Sequence, residues 1–372
     1  ANHEGFRKHF DREMMRAYIA MFDCNNQYGW AMSQYLPTHG FKWLQLETTS
    51  PEFWTNFVLQ QEDSQDTGYF FETDLEYPEE LHDLHDQYPL APEHLEIKEE
   101  MLSEFQKKLA KDLDVKVGGT KLCLTLLDKK DYICHYRNLK LYLQKGMKIK
   151  KVSRVLEFQQ SPWIKSYIDL NTRLRQEAQN KFEQNFAKLM NNSFFGKTCE
   201  DVRKYKNFKI ALNERRATKL INKPTCKRSK IYAEDLVTFQ LQRETVTMDK
   251  PRYIGQAILD ISKTVMYKFH YDFIMVNFPG TELLFTDTDS FCYLLPFKED
   301  LYEFIKRKTE WFDFSNYPKN HKNYDVSNHL VPGKFKDEMG GAYIEEFCGL
   351  RSKMYSILID EKVEKKAAKG VL

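Results

Sequence analysis

Apolar positions along the chain come in short runs broken by turn-forming residues, with two longer stretches of helical period. Arg16-Ala-Tyr-Ile-Ala-Met-Phe22 is a short apolar run that ends at Asp23, the pattern of a buried strand with an acid at its C-terminal end. Gly68 to Leu75 predicts a second strand, after which Pro78, Pro89 and Pro92 break the chain into a loop rich in acid and His. A helix is expected over Ile97 to Leu113. Thr120 to Leu127, the turn Asp128-Lys-Lys-Asp131 and the return Tyr132 to Tyr136 read as a hairpin. Pro162 precedes the longest helical stretch, Ile164 to Asn191, which neither Gly nor Pro interrupts. A second helix is expected over Arg252 to Tyr271, with Ile254, Ala257, Ile258, Ile261 and Val265 on one face. Two strands, Leu283 to Phe285 and Phe291 to Leu295, flank an acidic turn. Helices and strands alternate without regular strand–helix–strand units, and no internal repeat appears, so the fold class is α+β with an antiparallel sheet.

Composition adds bounds. With 372 residues, 42% of them hydrophobic, the chain can bury a sizeable core or two subdomains sharing one. No run of eighteen apolar residues occurs, which argues against a membrane span and a membrane partner, while the odd count of seven cysteines suggests reduced thiols in an intracellular protein. The opening residues, Ala-Asn-His-Glu-Gly-Phe-Arg-Lys, form no signal peptide and do not start at Met, so the chain reads as a piece of something longer. Net charge is +2, but its distribution is uneven. Acid collects between Glu62 and Glu104, and Lys and Arg dominate from Lys129 to Arg154 and from Arg203 to Lys230. That pattern fits an enzyme holding cations and a polyanion together, and equally fits solvated faces of mixed charge. Seven scattered cysteines form no Cys-x-x-Cys pair and no zinc spacing, so neither a structural zinc nor a disulfide scaffold is expected.

Three constellations could carry chemistry. In Leu283-Leu-Phe-Thr-Asp287-Thr-Asp289-Ser, two acids sit at a tight turn between apolar strands. Buried together they would repel, a cost that a divalent cation relieves, and hard oxygen donors suit Mg²⁺. An exposed hairpin turn explains the same residues, and Asp-x-Asp also occurs in nucleotide-sugar transferases. In Phe22-Asp23-Cys-Asn-Asn-Gln-Tyr28, a third acid leaves a strand and an aromatic follows five residues on. In Lys188-Leu-Met-Asn-Asn192-Ser193-Phe-Phe195-Gly196 a basic helix ends in Asn, Ser and Gly. Lys181 and Lys188 are seven apart and share a face, with Arg173 near it two turns back, a surface that could hold a triphosphate. Solvated basic faces are the plain alternative for Arg173 and Lys181.

Taken in order, these segments resemble family B DNA polymerases. Phe285-Thr-Asp-Thr-Asp-Ser290 is similar to their motif C, Tyr-x-Asp-Thr-Asp-Ser. Lys188-x-x-x-Asn-Ser-x-Phe-Gly196 resembles motif B, Lys-x-x-x-Asn-Ser-x-Tyr-Gly. Asp23-x-x-Asn-Gln-Tyr28 resembles motif A, Asp-x-x-Ser-Leu-Tyr-Pro, with Asn, Gln and Gly for Ser, Leu and Pro. Lys353-Met-Tyr355 looks like the Lys-x-Tyr motif of protein-primed members, and longer strings are similar to polymerases of Polinton/Maverick elements and related viruses. The resemblance implies a palm with an antiparallel sheet and a helical fingers subdomain. Asp23 and Asp289 would be the principal ligands of two Mg²⁺ ions, supported by Asp287 and the backbone carbonyl of Cys24. Tyr28 would lie under the deoxyribose of a dNTP, with Lys181, Lys188, Asn192 and Phe195 also at the nucleotide. Ser193, Gly196, Lys353 and Tyr355 would contact primer and DNA. Partners implied are primer-template DNA, dNTP and a terminal protein primer.

The resemblance further implies palm over 1–160, including an insertion between Lys42 and Lys181 that contacts terminal protein. Fingers helices and a following insertion are expected over 161–250, and the rest of the palm over 251–372. The exonuclease and most of a thumb would be missing, and Lys362, Lys365, Lys366 and Lys369 could begin contacts to DNA. Asp74-Leu-Glu-Tyr77-Pro78 mimics motif A, but its spacing of three marks it as structural. The function implied is DNA-directed DNA polymerisation in replicating a mobile element or virus, in a nucleus or viral replication site. A degenerate nucleic-acid-binding fragment is the rival. A glycosyltransferase leaves the Lys-x-x-x-Asn-Ser block unexplained, and a reverse transcriptase would carry adjacent Asp-Asp.

Overall fold

Strand β1 (Ala17–Cys24) is buried along nearly its whole length, as its apolar run requires, and only Asp23 near its end reaches toward solvent. The computed structural model describes residues 1–2, 11, 13–116, 118–351, 353–359 and 362–368, with the backbone alone described at 351 and 362–365. After β1 come α1 (Gln27–Met32), β2 (Leu36–Trp43), α2 (Pro51–Gln60) and β3 (Thr67–Glu76). Helix α2 starts where such a helix should, with the Ser50 hydroxyl accepting from the Phe53 amide and Pro at the first position.

An excursion follows, made of α3 (His82–His85), β4 (Glu93–Glu96), α4 (Glu104–Asp112) and β5 (Thr120–Cys123). The helix expected from Ile97 begins at Glu104 instead, because Ser103 and Gln106 form a capping box there. The chain returns as β6 (Lys129–His135), α5 (Tyr136–Gln144) and β7 (Lys148–Ser161). The expected 120–136 hairpin does not form: β5 pairs with β4, and β6 pairs with β3. The Asp131 amide donates to the Asp74 carboxylate at 2.8 Å and the Tyr77 amide to Asp128 at 2.8 Å, tying the acidic turn to β3. The resulting antiparallel sheet, β2-β7-β3-β6, packs on α2 and α5 around Trp54, Phe71, Tyr136, Tyr142 and Val155.

The long helix is two: α6 (Lys165–Glu177) and α7 (Lys181–Thr198). Asn180 starts the second, accepting from the Glu183 amide at 3.0 Å while its own side-chain amide donates to Glu183 at 2.8 Å. The local exchange satisfies helix-end donors and ends the first helix without Gly or Pro. Arg173 and Lys181 are therefore on different helices.

The chain divides into two compact units, Ala1–Asn192 with Gln256–Leu372, and Ser193–Gly255. The second holds β8 (Asn207–Ala211), α8 (Glu214–Ile221), β9 (Cys226–Ala233) and β10 (Leu236–Leu241). They form an antiparallel sheet, β8-β10-β9, closed by Leu220, Ala211, Phe239 and Leu241.

Helix α9 (Arg252–Lys268) buries the predicted face Ile254, Ala257, Ile258, Ile261 and Val265, then runs through a π-helical turn, Phe269–Ile274, into α10 (Met275–Asn277). The remaining elements are β11 (Glu282–Asp287), β12 (Ser290–Pro296), α11 (Leu301–Lys306), β13 (Phe312–Asp313), β14 (Phe335–Asp337), β15 (Glu346–Arg351), β16 (Met354–Ile359) and β17 (Lys362–Ala368). The central sheet has the order β11-β12-β1-β14-β13 and is antiparallel except for β13 with β14. Alternation gives each face its own core. Phe22, Phe291 and Tyr293 meet Phe269 and Phe273 on one side, and Met21, Cys292 and Phe285 meet Ile344 and Ile357 on the other. The α+β class with antiparallel sheets is as expected. Among the described residues no helix is long and apolar enough to cross a membrane.

Candidate active site

The acids of the first and last motifs converge because β1 lies beside β12. Asp23 stands opposite Ser290, and the Cys24 amide donates to the Asp289 carbonyl at 2.7 Å. Asp287 stands opposite Ser290 from the other side, across the hairpin of β11 and β12. Directly opposed residues share a sheet face, so Asp23 and Asp287 emerge on the face of Met21 and Cys292. The connecting turn is tight. Thr288 takes φ 61, and the Asp289 amide donates to the Asp287 carbonyl at 2.7 Å. A β-branched residue in the left-handed region costs energy, of order 1–3 kcal/mol, that the packed strands on either side must offset.

Burial works against the charges here. It raises the Asp23 carboxyl above its ordinary value, against the pull of the Lys336 ammonium. Burial, and next the nearby Asp23 charge, push Asp289 up to about 6, with Lys188 and Lys336 pulling the other way. Two carboxylates are thus held near each other against their repulsion. Lys336 reaches Asp23 at 2.7 Å and Glu338 at 2.8 Å. Lys353, itself at φ 60, reaches both Asp287 oxygens at 2.5 Å. The Tyr355 ring packs on Phe285 with centroids 4.7 Å apart, so the Lys-x-Tyr segment docks on the strand that carries Asp287.

Lys188 is exposed on α7 and its charge is felt by both Asp23 and Asp289. Arg175 on α6, not singled out from the sequence, also feels Asp23; burial lowers its guanidinium below the ordinary value, and its Nε is buried without a hydrogen-bond partner. Arg173 and Lys181 are exposed, Tyr28 and Asn192 half-buried. Ser193, Phe195 and Gly196 belong to the second unit, on the last turns of α7. Of the candidate DNA-contacting lysines, Lys369 and the side chains of Lys362 and Lys365 lie outside the described residues; Lys366 is on β17.

A second layer holds the Asp23 turn. The Asn25 side chain donates to Asp313 at 2.7 Å, and the buried Asp313 also accepts from the Ser315 and Leu330 amides. The Asn25 amide donates to the Lys334 carbonyl and the Gly333 amide to the Asn25 carbonyl, each at 2.8 Å. Gly333, at φ 82, is required: a Cβ would sit 2.4 Å from Trp30 Cδ1. No sequence signal marks Lys336, whose partnership with Asp23 follows from the pairing of β14 with β1. Nothing in sequence links Asp313 to Asn25. The look-alike acid Asp74 is occupied by the Asp131 amide, and Tyr77 is buried with its hydroxyl 2.9 Å from His85 Nδ1.

Among the described residues no three His, Cys, Asp or Glu side chains form a metal-holding group. The donor chemistry nevertheless fits a hard divalent ion at Asp23 and Asp289, whose mutual repulsion a cation would relieve; Asp287 would have to leave Lys353 to join them.

An α+β architecture of this kind is found among solved structures. The chain is similar to phi29 DNA polymerase complexed with primer-template DNA and incoming nucleotide substrates, at a TM-score of 0.51 and 16% identity over 96% of this chain and 49% of that one. It is also similar to the same polymerase in a post-translocation binary complex with primer-template DNA, at a TM-score of 0.46, 17% identity, and coverage of 96% and 48%. The chain thus spans about half the length of these structures. No curated protein matches it. The family model for DNA polymerase type B, organellar and viral, matches residues 5–275. The chain belongs to the organellar and viral type B DNA polymerases.

Proposed function

We propose that this chain carries the nucleotidyl-transfer centre of a DNA-directed DNA polymerase, extending a primer 3′-end, or a protein primer, against a template. The observation that carries the reading is the pairing of β1 with β12, which sets Asp23 beside the Asp289 turn within reach of the Lys188 charge. Bound at Asp23 and Asp289, two Mg²⁺ ions would activate the attacking hydroxyl and offset charge on the departing pyrophosphate. The chain's own residues then have separable tasks. Asp23, Asp289 and the Cys24 carbonyl supply oxygen ligands, with Asp287 in support. Lys188 on α7 and Arg175 on α6 present fixed positive charge to the triphosphate, and Lys181 and Asn192 lie along α7 with Lys188. Tyr28 places its ring beneath the sugar and excludes a 2′-hydroxyl by bulk. Phe195 packs near the nascent pair, without the hydroxyl that the family pattern has there. Lys353 and Tyr355 hold the primer end, with Ser193 and Gly196 at the DNA.

The same reading assigns 1–160 and 251–372 to the palm and 161–250 to fingers and a following insertion. Its setting would be replication of a mobile element or virus, with a terminal protein as a further partner. Primer extension with Mg²⁺ and four dNTPs tests the proposal, comparing the chain with Asp23→Asn. Extension that depends on Asp23 supports it. Extension that survives the substitution refutes the assigned chemistry, and no extension by the unaltered chain leaves a nucleic-acid-binding fragment as the better reading.

A further inference from the structure

Between Asp23 and Gly29 the chain departs from the motif it resembles: Asn26, Gln27 and Gly29 replace Ser, Leu and Pro. The structure makes the first and last of these a matched pair. Asn26 has φ 43 and ψ 56, a left-handed conformation that Asn tolerates better than most side chains. From there its Oδ1 accepts from the Gly29 amide at 3.2 Å and caps α1. Gly29 is buried against that side chain, and a Cβ on it would lie 2.0 Å from Asn26 Nδ2. Proline at 29 has no N–H to give and would intrude on the cap as well. Serine at 26 would be left in a backbone conformation it disfavours. The Asn26 cap therefore suits a residue at 29 that offers an N–H and carries no Cβ.

The neighbours are also anchored. Asn25 is held by Asp313, and the buried Gln27 donates from Nε2 to the Ser262 carbonyl of α9 at 3.1 Å. Every residue between Cys24 and Tyr28 thus has its side chain in a hydrogen bond that fixes it. We infer that Asn26 and Gly29 act together as positioning residues, setting the direction in which the Tyr28 ring leaves the backbone and hence the preference for deoxyribonucleotides. The inference rests on the polymerase reading, in which Tyr28 lies under the sugar.

The test is a binding measurement that needs no turnover: dissociation constants of dCTP and CTP from ternary complexes on a dideoxy-terminated primer-template with Mg²⁺. It compares the chain with Tyr28→Val, Gly29→Ala, Asn26→Gly, Gly29→Pro and the double variant Asn26→Ser/Gly29→Pro, with melting temperatures to verify folding. Asn26→Gly keeps the left-handed backbone and loses only the cap, so it keeps the test open if a Gly29 variant does not fold. Gly29→Ala and Asn26→Gly are expected to lower the dCTP preference by about tenfold. Gly29→Pro should lower it further, and the double variant should recover part of that loss, because the mismatch between the partners is gone. A merely structural role would lower melting temperature without moving the ratio of the two constants. Loss of preference in Tyr28→Val but not in Gly29→Ala or Asn26→Gly overturns the inference and leaves the ring assignment standing. An unchanged preference in Tyr28→Val, or no ternary complex at all, overturns both.

Discussion

Asp289→Asn separates what the carboxyl does for chemistry from what it costs the fold. The substitution keeps the shape and removes one negative charge. Asp289 is pushed from an ordinary 3.8 up to about 6, by burial and then by Asp23. A carboxyl raised in the folded state contributes stability that is fully present below the unfolded value and is lost as pH rises through the folded one. For Asp289 that window runs from 3.8 to about 6. The full shift corresponds to about 3 kcal/mol, and partial exposure reduces it to about 1–2 kcal/mol. At neutral pH in EDTA the Asn variant should therefore melt roughly 2–3 °C above the parent, with the gap closing near pH 4. Added Mg²⁺ should raise the melting temperature of the parent more than that of the variant, and primer extension should be lost in the variant. The assay is thermal unfolding by circular dichroism at pH 4 and pH 7.5, with and without Mg²⁺. A gap that does not widen with pH, or an Asn variant that extends primers at the parental rate, would refute the reasoning.

Other substitutions probe the surroundings. Lys188→Ala and Arg175→Ala should each raise the dNTP KM by roughly tenfold or more while leaving melting temperature within about 2 °C, measured by steady-state primer extension. Gly333→Ala combines φ 82 with a Cβ 2.4 Å from Trp30, and should cost about 2–4 kcal/mol in urea unfolding and slow extension. Glu93→Ala should cost about 3–5 kcal/mol, because it strips the carboxylate 2.7 Å from the fully buried Lys129 ammonium. Lys129→Met should be close to neutral, since the Glu93 it releases already reaches solvent; equal losses in the two variants would contradict this.

What could be read in advance followed local chemistry. The apolar run before Asp23, the face Ile254 to Val265 and the two strands around Asp287 and Asp289 all appear as predicted, since side-chain period and burial are local properties. Pairing partners are not local. The turn Asp128 to Asp131 between two apolar segments suggested that they pair with each other but carried no information on other partners, and β5 went to β4 and β6 to β3. The break after Glu177 contains neither Gly nor Pro, so the sequence runs through it as a continuous helical stretch. Asn180 with Glu183 was the available signal, and it moves Arg173 away from the face assigned to it and leaves Arg175 near Asp23.

At the site, the acids were legible and their counterions were not. An acid at the end of an apolar run and a pair in a two-residue turn announce themselves by the cost of burying them. Lys336 becomes a partner of Asp23 only because β14 is inserted beside β1, opposite the side taken by β12. Lys353 was read as a primer contact, and the structure gives it a further task, since its ammonium neutralises Asp287 through both oxygens. Four bases, Lys188, Lys336, Lys353 and Arg175, thus face four acids, Asp23, Asp287, Asp289 and Glu338. A lone divalent cation relieves the repulsion between Asp23 and Asp289 but leaves the cluster as a whole positive, and a lone triphosphate leaves it negative. Their joint arrival preserves the balance, which accords with a hard ion held by one or two carboxylates and shared with substrate phosphates.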